Sequence, residues 1–171
     1  MNYRTKIALT GFMGVGKSSV ARHLARLLRT EYLDLDKFIE QQEQRKIAEI
    51  INGNGADHYR IIETRNLFRL LQDDHPRILS LGGGAWIAKE NRELLKSAGY
   101  TSVWLEATFE HCWLNIKFSH KERPLASSKE ATRKLFEERQ SLYCLADWHF
   151  LVRPGDTSFD VAKRIRDEIF G

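Results

Sequence analysis

The sequence predicts an α/β fold in which a parallel five-stranded sheet carries helices on both faces. Two observations lead there. Five short apolar runs alternate with stretches of helical period, and a glycine-rich segment joins the first run to the first helix. A third observation agrees with them: acids and glycines come after several of the runs, at the strand ends where ligands bind in such sheets.

The first run, Lys6-Ile7-Ala8-Leu9, is short and mostly apolar, as suits a buried strand. Gly11-Phe12-Met13-Gly14-Val15-Gly16-Lys17-Ser18 then satisfies the phosphate-loop spacing G-x-x-x-x-G-K-[ST] at every fixed position. Such a loop needs a strand before it and a helix after it. Downstream, Val20, Leu24, Leu27 and Leu28 recur at helical spacing, with Arg22, His23, Arg26 and Arg29 on other faces. Glycine lets the backbone turn tightly with several N–H groups inward, and the helix beginning near Gly16 adds the positive end of its dipole. The expected ligand is a polyphosphate. Lys17 offers a cation to the outer phosphates, and Ser18 a hydroxyl to Mg²⁺, an ion that takes few protein oxygens when phosphates and water complete its shell. An ordinary glycine-rich turn would not need the whole pattern in this context.

Tyr32-Leu33-Asp34-Leu35 reads as a second strand ending in acid, with Asp36 just beyond. The third run lies in "RILSLGGG", the fourth in "TSVWLEA" and the fifth in "WHFLV", before the turn Arg153-Pro154-Gly155-Asp156. The phosphate loop, Asp34, Asp36 and Gly82-Gly83-Gly84 should therefore converge on one site. About forty residues separate the second and third runs, far more than the dozen or so of a plain crossover. They carry helical patterns such as Lys46 to Ile51, a break expected at Asn52-Gly53-Asn54-Gly55, and then "ADHYRIIETRNLFRLL". This insertion, about residues 37–72, is expected to serve a second substrate. "KFSHKERPLASSKE" is polar around one Arg-Pro step and reads as a mobile flap, about residues 117–130, or as a plain surface loop. A closing flap would exclude water from a phosphoryl group and could bring an arginine onto it.

Composition narrows the classes. A chain of 171 residues fits one domain, 1–171, and a net charge of +4 without a basic tail is explained by an anionic small ligand as well as by nucleic acid. No nucleic-acid or membrane partner is expected, since no apolar run reaches the length of a span. Nothing near Met1 resembles a signal peptide, so a cytoplasmic location is expected. Cys112 and Cys144 lie far apart without a ligand pattern and are expected to be buried thiols. His111 beside Cys112 reads as incidental rather than metal-binding.

Two arginines stand out. In "KEATRKLFEERQSLYCLAD", Arg139 shares a face with Leu135, Phe136, Leu142, Tyr143 and Ala146, while Glu137, Glu138 and Gln140 project elsewhere. An inward arginine needs an anion: either a structural salt bridge, or a substrate carboxylate, whose geometry the guanidinium fork matches. Arg60 has Glu63 three residues on and could simply pair with it along a helix.

Together these segments resemble the shikimate kinase family over nearly the whole chain. "GFMGVGKSS" is close to its phosphate loop, "LDLD" to its paired acids, "YR" with Glu63 to its first substrate-arginine segment, and "GGGAW" to its triple-glycine turn. "RPLA" resembles its lid step and "RQSLYCLAD" its R-x-x-x-Y-x-x-x-A helix. The phosphate loop is generic to many kinases; the ordered set of six is far more specific. The resemblance implies a P-loop NTPase-type sheet and transfer of the γ-phosphate of ATP to the 3-hydroxyl of shikimate, with Mg²⁺, in a monomer. It also implies roles. Asp36 would bind the attacking hydroxyl and take its proton, with Lys17 and Arg123 neutralising the transferring group. Gly14, Val15, Gly16, Lys17, Ser18, Ser19, Arg123 and Arg153 would hold ATP or ADP. Arg60 and Arg139 would grip the carboxylate of shikimate beside Asp36 and Gly82, Gly83 and Gly84. Ser18 would ligate the metal and Asp34 hold it through water.

The chain departs from the family where lids commonly carry an adenine-stacking arginine: Asn115, Ile116 and Lys117 stand around that position. "NGNGADHYR" lacks the usual acid after its first glycine, and Ala126 replaces a frequent leucine. Two other readings make different demands. A kinase for gluconate or a nucleoside monophosphate need not use Arg60, Arg139 and the glycine turn together, and a catalytically silent ATP-binding regulator need not keep Lys17, Ser18, Asp34, Asp36 and Arg123.

Overall fold

A computed structural model of the chain describes residues 5–73 and 75–171. The expected domain, 1–171, thus includes four N-terminal residues and residue 74 that lie outside the described residues. Among the described residues, five strands form one parallel sheet in the order β2-β3-β1-β4-β5. They are β1 (Lys6–Thr10), β2 (Tyr32–Asp34), β3 (Ile78–Ser80), β4 (Tyr100–Glu106) and β5 (Trp148–Leu151). The helices are α1 (Lys17–Leu28), α2 (Leu35–Glu43), α3 (Ile47–Asn54), α4 (Ala56–Asp73), α5 (Lys89–Ser97), α6 (Phe109–Lys117), α7 (Lys129–Tyr143) and α8 (Ser158–Ile169).

The central strand explains the layering. Ile7, Ala8 and Leu9 are fully buried, as a strand covered on both faces requires. Right-handed crossovers put α1, which connects β1 to β2 on one side, opposite α5, which connects β3 to β4 on the other. Helix α8 packs along α1, so its Val161, Ala162 and Ile165 share one apolar layer with Val20, Leu24 and Leu28. Each of the valines, leucines and isoleucines here contributes roughly 1.5–3 kcal/mol on burial.

Register sets the position of the site. Leu9 pairs with Ser80 on one side and Val103 on the other, and Asp34 pairs with the same Ser80. Strands β1, β2 and β3 therefore end side by side, and the segments leaving their C-terminal ends meet at one edge of the sheet. The insertion between β2 and β3 is α2, α3 and α4, with α4 packed against both of the others. Its expected break at Asn52 to Gly55 is narrower than the glycines suggest. Helix α3 runs through Asn54 and stops at Gly55, whose φ of 87° is left-handed. Gly53 stays helical because one internal glycine costs only about 1 kcal/mol.

The two cysteines differ. Cys112 is buried, as expected, but Cys144 is exposed. It caps the C-terminus of α7 between the buried Tyr143 and Ala146 but off their face, and its thiol donates to the Ser141 carbonyl at 2.9 Å. No described helix is long and apolar enough to cross a membrane.

Candidate active site

The phosphate loop wraps the start of α1. Gly16 occupies the N-cap with no side-chain cap, so the helix presents its first N–H groups to the cleft. Gly14 has φ 82°, and a Cβ there would stand 2.5 Å from the Cys112 carbonyl oxygen, because the loop rests on α6. Asn115 reinforces that seat by donating to the Gly14 carbonyl at 2.8 Å. Lys17 bends back to donate to the carbonyls of Gly11 (2.8 Å) and Phe12 (3.1 Å). Burial pulls its ammonium from the ordinary 10.5 down to about 8, against the opposing pull of Asp36.

The acids come from the start of α2. Asp34 is its N-cap, accepting from the Lys37 N–H at 3.3 Å, and its other oxygen accepts a hydrogen bond from the Ser18 hydroxyl. These two oxygens are an apt pair for a hard cation that keeps water and phosphate ligands; no cluster of three or more His, Cys, Asp or Glu that could hold a metal occurs among the described residues. Asp36 lies two residues further along, and its Oδ2 accepts from Lys121 Nζ at 2.7 Å.

Two cavities meet at this acid. The larger, about 570 Å³, is lined by Gly14 to Ser19, Asp34, Asp36, Lys121, Arg123 and the start of α8. The smaller, about 90 Å³, is lined by Asp36, Arg60, Gly82 to Gly84, Lys121, Arg123 and Arg139. Asp36, Lys121 and Arg123 are on both walls. Arg123 is partly withdrawn from water, which lowers its affinity for the proton, and its Nε is buried with no hydrogen-bond partner among the described residues. A buried polar atom of this kind is costly until an acceptor arrives.

The smaller cavity is built on close approach. A Cβ on Gly84 would lie 2.2 Å from Arg60 Nη2, so only glycine lets that guanidinium lie along the turn. Arg60 pairs with Glu63 at 2.6 Å, as its spacing suggests, and Tyr59 donates to the same carboxylate at 3.3 Å. Burial raises the Glu63 carboxyl, with Arg60 opposing. Arg139 is 8% exposed and donates to the Gly83 carbonyl at 3.1 Å. No carboxylate pairs with it among the described residues, which leaves the structural salt bridge without a partner and favours an incoming anion. Tyr143 donates to the same carbonyl.

Not every expected residue joins the site. Arg153 is exposed and lines neither cavity; its backbone N–H donates to Asp156 at 2.7 Å, which closes the turn before α8. Around the family's adenine-stacking position, Asn115 lines the large cavity, Ile116 packs against Gly14, and Lys117 points to Phe118 instead. Sequence reasoning misses Lys121, His111, Asp156 and Thr157. Lys121 stands two residues before Arg123, but nothing local ties it to an acid 85 positions away.

Known proteins resemble the chain in sequence and in fold. A family model described as Shikimate kinase matches residues 13–170. A shikimate kinase of Cereibacter sphaeroides is 37% identical over 168 residues, covering 95% of this chain and 81% of that protein. The solved shikimate kinase of Acinetobacter baumannii in complex with shikimate superposes with a TM-score of 0.88 at 32% identity, covering 97% of this chain and 93% of the other. A gluconokinase of Sinorhizobium meliloti, at 14% identity and a TM-score of 0.61 with 99% and 98% coverage, shares the fold alone.

Proposed function

The chain belongs to the shikimate kinase family, and we propose that it transfers the γ-phosphoryl group of ATP to the 3-hydroxyl of shikimate. One observation carries the reading: the cavity lined by the glycine-rich loop and the cavity lined by Arg60 and Arg139 adjoin, with Asp36, Lys121 and Arg123 among the residues lining both. In-line transfer needs the attacking oxygen and the phosphorus held together with charge compensated around them, and little else from the protein.

The positions of the residues support the following roles. ATP lies along the large cavity with its phosphates on the N–H groups of Gly14 to Ser19, and Lys17 and Arg123 face the transferring group. Arg60 and Arg139 hold the carboxylate of shikimate, Gly82 to Gly84 let its ring approach the backbone, and Asp36 accepts from the attacking hydroxyl. Ser18 and Asp34 suit Mg²⁺, which when bound would neutralise phosphate charge. The domain is a single catalytic unit, with 37–72 as the acceptor-binding insertion and 117–130 as the lid. It works in the cytoplasm as a monomer, on ATP and a small acid rather than on nucleic acid or membrane.

Arg139→Lys keeps the charge and loses the fork. It should weaken shikimate binding by roughly 1.5–3 kcal/mol, the scale of a charged hydrogen bond. Titration of the binary complex measures this, and an unchanged affinity would remove Arg139 from the acceptor site. For the function itself, ADP release is measured with shikimate, gluconate and nucleoside monophosphates as acceptors. Turnover with shikimate alone is expected; turnover with gluconate and none with shikimate would overturn the reading, and ATP binding with no transfer to any acceptor would favour a silent regulator.

A further inference from the structure

The segment between α6 and α7 brings two cations over the cleft, Arg123 and Lys121, and their use there rests on the shikimate kinase reading, which it deepens. Lys121 Nζ donates to Asp36 at 2.7 Å, and the residue lines both cavities. A side chain on both walls stands where the two substrates must meet. The segment is tethered beside it, since Asn52 of α3 donates to Glu122 at 3.3 Å and the Lys121 N–H donates to Ser119 Oγ at 3.1 Å. The Lys121 side chain is 52% exposed. A half-exposed ion pair adds little to stability, and an ammonium on a flexible stem can exchange partners without disturbing the fold.

We propose that Lys121 is a further catalytic residue, whose ammonium passes from Asp36 to an oxygen of the transferring phosphoryl group as the acceptor hydroxyl takes its place on the carboxylate. During transfer the bond from the acceptor oxygen to phosphorus forms and the bond from phosphorus to the bridging oxygen of ADP breaks. The electron pair leaves with ADP, and the hydroxyl proton passes to Asp36. Negative charge spreads over the phosphoryl oxygens between the two bonds. Lys17 meets it from the loop side, where its ammonium is bound to two carbonyls. Lys121 meets it from the acceptor side. Lys121 holds one of the two Asp36 oxygens in the substrate-free site, and an acceptor hydroxyl that takes this oxygen would release the cation where charge develops.

The test compares Lys121→Met and Lys121→Arg with the unaltered enzyme, using ATP and shikimate. For Lys121→Met, kcat should fall on the order of tenfold to a hundredfold, below the loss for a fully desolvated donor because the side chain is half exposed. Both KM values should stay within about threefold, and Lys121→Arg should recover most of the rate. Binding of ADP with aluminium fluoride and shikimate should weaken in parallel with kcat, while binding of ADP or shikimate alone should not. A Lys121→Met enzyme with unchanged or higher kcat and a lower KM for shikimate would overturn the proposal, because the ion pair would then only compete with the acceptor. Unaltered enzyme that fails to turn over shikimate would overturn the reading beneath it, and this inference with it.

Discussion

Lys17→Met should lower kcat a hundredfold or more and leave the protein folded. The expected loss is that of one preorganised donor aimed at developing charge in a site withdrawn from water. Its structural basis is the position of the ammonium, 8% exposed, bound to the Gly11 and Phe12 carbonyls beneath the cavity that the loop encloses. The stability side runs the other way. Burial holds the folded-state pKa at about 8 against 10.5, so the charged form is disfavoured by the fold. That penalty is fully present below pH 8 and fades as pH rises toward 10.5, because in this window the unfolded chain binds more protons than the native one. Methionine keeps the stem and removes the charge, so near pH 7 the melting temperature should be unchanged or higher. Paired kinetic and thermal measurements check both halves. Near-normal turnover in this variant would contradict the phosphate-cradle assignment.

Asp36→Asn should cost on the order of a hundredfold to a thousandfold in kcat with shikimate affinity little changed, the range for removing a positioned proton acceptor. The amide retains the shape but offers a hydroxyl donor only one neutral acceptor oxygen. It also loses the ionic partner of Lys121, which pairs with the native carboxylate at 2.7 Å. Affinity should be spared because the proposed carboxylate grip is on two other residues lining the small cavity, Arg60 and Arg139. Steady-state kinetics together with equilibrium titration separate the two effects. A large loss of binding with unchanged kcat would make Asp36 a binding residue and not the proton acceptor.

The parts of this site that sequence reveals are those whose geometry is local. Eight consecutive residues specify the phosphate loop, since the turn and the helix N-terminus are built from neighbours in the chain. Arg139 is legible because helical period places it on the same stripe as Tyr143, and burial of both bears this out. The five strands and their parallel arrangement are legible from apolar runs spaced by helices. The misses have physical reasons as well. Lys121 reaches Asp36 across 85 positions through an irregular segment, where no periodicity predicts direction. Cys144 is exposed because it stands about 100° round the helical turn from Tyr143, off the face that Tyr143 and Ala146 bury.

The central claim is geometric: one carboxylate, Asp36, stands where two substrates meet, one with its phosphates on the loop and one with its carboxylate in an arginine fork. A crystal structure with ADP, Mg²⁺ and shikimate bound tests it most directly. The shikimate carboxylate is expected within hydrogen-bond reach of Arg60 and Arg139, and its 3-hydroxyl on Asp36, facing the end of the phosphate chain. Shikimate bound with its carboxylate turned toward the phosphate loop, or outside the cavity that Arg139 lines, would contradict the claim.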